Sequence, residues 1–217
     1  MVEPHREEAG PPRWLQGVWR RELRSVDGRP GSEVSRVVWA QVGEWFADVR
    51  QPQGEGAELT YLDEAQAFSG VIRCSAEAVV TWRHDLDTMP RAPGHEDSAE
   101  VHRDGEVLIE RGPRYEERWC RDGQPGPVAV LERRSPRGAV VARLVSVGDV
   151  SVAVWAGRRP GGAALRFADG GWEVETFVGS GAIPWPAVLA ARSGGVPDGW
   201  EQVNPIVTEK DQDSNHD

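Results

Sequence analysis

The stretch Ser98-Ala99-Glu100-Val101-His102-Arg103-Asp104-Gly105-Glu106-Val107-Leu108-Ile109-Glu110-Arg111 decides how this chain folds. Ala99 and Val101 alternate with polar residues, Asp104-Gly105 supplies a two-residue turn, and a second apolar run follows at once. Side chains of a strand point to opposite faces in turn, and Asp-Gly tolerates the positive φ angles of a tight turn, so the stretch predicts a β-hairpin.

The same punctuation recurs outward in both directions. Asp27-Gly28, Asp122-Gly123, Gly148-Asp149 and Asp169-Gly170-Gly171 each separate two short runs. Strands are predicted over 17–24, 34–41, 44–51, 66–74, 78–86, 98–104, 106–111, 114–121, 127–134, 138–147, 150–158, 163–168 and 172–178. Consecutive hairpins make a meander, and a long meander exposes two sheet edges unless it closes on itself. The fold expected is therefore all-β, an up-and-down antiparallel β-barrel of about eight to ten strands over 13–180. One short C-terminal helix is expected near 186–193, outside the barrel, between Pro184-Trp185-Pro186 and Gly194-Gly195.

The domain reading is a flexible N-terminus over 1–12, a single barrel domain with its helix over 13–204, and a disordered acidic tail over 205–217. The two ends lack the apolar residues that would tie them to a core.

Composition narrows the function classes. The 217 residues carry a formal net charge of −10, which disfavours nucleic acid, since that affinity comes largely from Lys and Arg on phosphates. The N-terminus has no apolar core of signal-peptide length, and no later run approaches the ~18 apolar residues of a membrane span. No membrane contact and a cytoplasmic location are expected. Cys74 and Cys120 lack the number and spacing of a disulfide framework or a zinc site. His84, Asp85, Asp87, His95, Glu96, Asp97 and His102 match no metal-ligand spacing, so no metal is assigned. No nucleotide fingerprint, Gly-x-Ser-x-Gly or Cys–His signature occurs, so no cofactor and no covalent mechanism is expected.

In Arg13-Trp14-Leu15-Gln16-Gly17-Val18-Trp19-Arg20-Arg21, a short turn leads into the first strand. Gly17-Val18-Trp19 resembles the Gly-x-Trp motif of the lipocalin-like (calycin) barrels. That resemblance implies a 3₁₀ turn before the motif, a Trp19 that closes one barrel end or touches ligand, an Arg from the last strand packed over it, and a helix after the barrel. Position 21 is Arg, where the related nitrobindins continue Gly-x-Trp-x-Gly, so a heme reading loses its support.

Alternation proposes which side chains line the interior. In Val80-Thr81-Trp82-Arg83-His84-Asp85-Leu86, one face carries Val80, Trp82, His84 and Leu86, which makes His84 either a hydrogen-bonded core residue or an acid–base group. In Arg114-Tyr115-Glu116-Glu117-Arg118-Trp119-Cys120, Tyr115, Glu117 and Trp119 share the more aromatic face. An inward Glu117 would need an internal partner, and the opposite facing leaves it solvated. Trp45, Ala47 and Val49 are read with Val37, Trp39 and Gln41 as an aromatic wall, and Asp48 with Arg50 as a surface pair.

The catalytic candidates are thus His84, Glu117 and Tyr115, and the ligand-binding candidates Trp39, Trp45, Trp82 and Trp119. Three functions fit. The first is a cofactor-independent cyclase or isomerase acting on a small apolar molecule in the barrel. The second is a non-catalytic carrier or sensor of a small hydrophobic ligand, and the third an interaction protein with a solid barrel. A desolvated His–Glu interior favours the first, and a wholly apolar lining the second.

Overall fold

A computed structural model describes residues 10–30, 35–53, 65–75, 78–89 and 97–203. After a 3₁₀ turn at Arg13–Leu15 come β1 (Gly17–Val26), β2 (Arg29–Pro30), β3 (Ser35–Val42), β4 (Trp45–Pro52), β5 (Gln66–Cys74), β6 (Val79–Asp87), β7 (Asp97–Asp104), β8 (Val107–Arg111) and β9 (Tyr115–Asp122). Then follow β10 (Val128–Arg134), β11 (Val140–Val147), β12 (Val150–Trp155), β13 (Gly161–Ala168), β14 (Gly171–Gly179), α1 (Trp185–Ser193) and β15 (Glu201–Gln202). Residues 205–217 and most of 1–12, expected to be a disordered tail and a flexible N-terminus, lie outside the described residues, as does the loop with His95 and Glu96.

The expected closed antiparallel barrel is present, with eight strands. β1 pairs with β3 on one side and β9 on the other, and β3 to β9 follow in sequence order. Asp27 and Gly28 take φ 51° and 71°, and Asp169 and Gly170 take 50° and 82°. Both central residues positive is the turn whose twist matches a hairpin.

The barrel closes earlier than the expected span of 13–180. Its last strand ends at Asp122, and the later strands form a second sheet in the order β14-β13-β12-β11-β10-β15. Between the two lies Gly123-Gln124-Pro125-Gly126-Pro127, whose prolines cannot donate to a sheet ladder and so release the chain from the barrel edge. Alternation identifies strands but does not say which sheet each one joins.

The second sheet lies over the outside of β3, β4 and β5. Val38, Ala40, Ala47, Val49 and Ala67 from the barrel pack there with Val130, Val145, Val152, Val154 and Ala164. This explains why β3 and β12 are buried on both faces, as strands covered on both sides must be. The helix covers the other face of this sheet through Ala187, Val188 and Ala191, against Leu131, Leu144, Ala153 and Leu165. It stops where Gly194 takes φ 73°. No helix among the described residues is long and apolar enough to cross a membrane.

Candidate functional site inside the barrel

Cross-strand partners share a face, so the register states what points inward. Trp39 opposes Asp48 and Val37 opposes Arg50; Ile72 opposes Trp82 and Gly70 opposes His84; Leu108 opposes Trp119 and Glu110 opposes Glu117. Of the candidates, Trp39, Trp82, His84, Tyr115, Glu117 and Trp119 all line the interior or pack against it.

Trp45 does not. With Ala47 and Val49 it sits on the outer face of β4, against the second sheet, and the proposed wall of Trp45, Ala47 and Val49 with Val37, Trp39 and Gln41 is split by the sheet itself. The reason is the register: Trp45 pairs with Val42, not with an inward residue. The same register corrects the supposed surface pair. Asp48 is buried and joined to Arg50 at 2.9 Å inside the barrel.

Leu86 also leaves the inner face. A bulge at Asp85 of β6 sets one extra residue against the Ser69–Gly70 step of β5, so beyond the inward His84 the facing switches, Leu86 joins the outer core and Asp85 reaches Arg143 of the second sheet. Gly70 permits this approach, because a Cβ there would stand 1.7 Å from the Arg83 carbonyl oxygen.

One end of the barrel is apolar and plugged. Trp19 is fully buried and its indole N–H donates to the Leu15 carbonyl at 2.8 Å. The Arg121 guanidinium of β9 stacks 4.5 Å from the Trp19 ring and donates to the carbonyls of Gln16 and Trp14. Gly17 takes φ +129°, and a Cβ on it would collide with that guanidinium. Above the plug, Trp39 meets Trp82 and Trp119 edge to face at 5.9 and 5.5 Å.

Beyond the indoles the interior turns polar. Arg21 holds Glu117 at 2.6 Å with both side chains buried and donates to the Ser35 hydroxyl at 2.7 Å. Glu110 faces Glu117 and receives the Tyr115 hydroxyl at 2.8 Å. Burial and the neighbouring Glu117 charge push the Glu110 carboxyl up to about 8, although Tyr115 and Arg50 oppose this. Burial and the same two carboxylates push the Tyr115 phenol upward, which keeps it a donor. Burial raises Asp48 despite Arg50.

His84 stacks on Phe68 at 4.4 Å. Its Nδ1 lies 2.9 Å from Asp87 and its Nε2 3.0 Å from Asp97. Ionised carboxylates only accept, so this geometry asks for two ring N–H donors, which the imidazolium supplies. Among the described residues, no group of three or more His, Cys, Asp or Glu is placed to hold a metal ion.

Arg21, Asp48, Arg50, Asp87, Asp97 and Glu110 belong to this interior and were missed. A signal existed for two of them. Counting by twos from Trp19 reaches Arg21, and from Leu108 reaches Glu110. Asp87 was hidden by the bulge.

No protein-family model matches the chain, and no curated protein matches it. Among solved structures, the crystal structure of the uncharacterized protein YLR301w from Saccharomyces cerevisiae is similar, with a TM-score of 0.56 and 14% identity over 75% of this chain and 85% of that one. At that identity the likeness is one of fold.

Proposed function

We propose that the barrel binds a small apolar molecule and acts on it as a cofactor-independent isomerase or cyclase, with proton transfer by Glu117 and Glu110. One observation carries the reading: two carboxyl groups oppose each other on the inner face, and their partners make them unlike. Glu117 is bonded to a guanidinium and serves as the base. Glu110, raised by burial and by Glu117, keeps its proton at neutral pH and serves as the acid. A buried carboxyl that keeps its proton beside one paired with a guanidinium lets one site hold both roles. Tyr115 is a positioning residue through its bond to Glu110. His84, engaged at both nitrogens, positions Asp87 and Asp97 beside the site.

The indoles of Trp39, Trp82 and Trp119 supply the apolar wall. The same wall favours the carrier reading, in which the ligand is held and not changed. We also infer lipocalin-like (calycin) kinship, supported by the 3₁₀ turn, the Trp19 plug and Arg121 over its ring.

The test is deuterium incorporation into a panel of apolar ketones in D₂O, followed by NMR. Accelerated exchange at carbon, reduced on the order of 10²–10⁴-fold in Glu117→Gln, is the expected result. Binding without exchange would leave a carrier, and neither binding nor exchange would overturn the proposal.

A further inference from the structure

Among the buried polar atoms of this interior with no hydrogen-bond partner among the described residues are Oε2 of Glu117 and Nε1 of Trp119; Arg24 stands opposite Glu117 on β1. Glu117 and Trp119 are each 1% exposed. They stand two positions apart on β9 and so share its inner face. Other indoles of the chain are served: Trp19 by the Leu15 carbonyl, Trp39 by Gln41, Trp155 by the carbonyls of Arg159 and Ser180. A buried donor and a buried acceptor left unmade side by side destabilise the ligand-free protein.

We propose that this pair anchors a ligand bearing one hydroxyl on a planar, apolar skeleton, its O–H donating to Glu117 and its oxygen accepting from the Trp119 N–H. A hydroxyl does both through a single atom; a ketone or ether oxygen only accepts, and an ammonium only donates. A planar skeleton suits neighbours that are indole rings packed edge to face. The inference rests on the proton-transfer reading and names its reacting group, an enol or phenol hydroxyl. In an enol, the O–H bond breaks and its proton goes to Glu117. The electron pair stays on the ligand as an enolate held by the Trp119 N–H, and Glu110 gives its proton to the ligand carbon. The product is the ketone. Transfer of a proton from Glu117 to Glu110 then restores the starting pair.

The experiment titrates the full chain with 2-naphthol, 2-fluoronaphthalene and naphthalene by calorimetry. The three share a skeleton, and the fluorine occupies nearly the space of the hydroxyl but cannot donate. 2-Naphthol should bind on the order of 10-fold or more tighter than either analogue, the scale of a hydrogen bond to a charged acceptor. Trp119→Phe should shrink that advantage, read as the ratio of 2-naphthol to naphthalene affinity within the variant. Equal affinity for all three overturns the hydroxyl anchor while the barrel remains a binding site. Failure of all three to bind overturns the anchor and the small-molecule reading together.

Discussion

Glu110 and Glu117 face each other across β8 and β9 inside the barrel, with Arg21 2.6 Å from Glu117 and the Tyr115 hydroxyl 2.8 Å from Glu110. Two like charges in a low-dielectric interior repel strongly, so the carboxyl without the guanidinium keeps its proton.

That asymmetry sets a pH dependence of stability. Glu110 sits at about 8 in the folded protein, against a reference of 4.5, so between these values the folded state holds a proton that the unfolded state has lost. Stability then falls as pH rises through this window, by up to about 1.4 kcal/mol per pH unit, and levels off above it. Glu110→Gln mimics the protonated form and should flatten the slope in urea titrations run from pH 5 to 8. Asp48, also raised by burial, adds a slope of the same sign, so some dependence should remain. An unchanged slope would mean that Glu110 is ionised in the folded protein.

The Arg21–Glu117 pair should be costly to break from either side. Removing one partner of a buried ion pair leaves the other charge uncompensated, at about 3–5 kcal/mol. Glu117→Leu and Arg21→Met should each lower the urea midpoint accordingly. The double variant should lose less than the sum of the two, because no unpaired charge remains. Strict additivity would show that the two side chains do not interact.

At the plug, Arg121→Ala removes the cation over Trp19 and the bonds to the Trp14 and Gln16 carbonyls. A loss of about 1–3 kcal/mol is expected. Arg121→Lys should recover little of it, since an ammonium lacks the planar fork that stacks and bonds at once. The Trp19 indole N–H, bonded to Leu15, should exchange with solvent faster in both variants.

Most strands were legible because their turns and alternation are local properties. The predicted strand over 106–111 differs by one residue from Val107–Arg111, and the helix over 186–193 by one from Trp185–Ser193. Sheet membership was less legible, since nothing within β10 to β14 distinguishes a barrel strand from one laid over a barrel. Only the apolar outer faces of β3 and β4 hinted that something covers them. Within the site, alternation brought His84 and Trp82 together and Tyr115, Glu117 and Trp119 together. It misplaced Asp48, Arg50 and Trp45, where polar residues occupy the inner face and apolar ones the outer. A barrel with a charged interior and a covered exterior inverts the inside-apolar assumption on which facing was chosen.

The bulge opposite Gly70 offers the sharpest test of how the site is built. His84 faces inward by alternation from Trp82, but Leu86 turns outward and Asp87 inward because β5 and β6 shift register there. An alanine Cβ would meet the Arg83 carbonyl oxygen at 1.7 Å, backbone that cannot swing aside. Gly70→Ala must therefore open the bulge, which pulls His84 from between Asp87 and Asp97 and strains the Asp85–Arg143 contact with the second sheet. A loss of about 3 kcal/mol or more is expected, on the order of 6–12 °C in melting temperature for a chain of this size. Asp85→Asn, which keeps the bulge and weakens only the half-exposed contact, should cost much less. If Gly70→Ala melted within a degree or two of the parent, the register shift would not depend on the missing side chain, and the outward placement of Leu86 would need another cause.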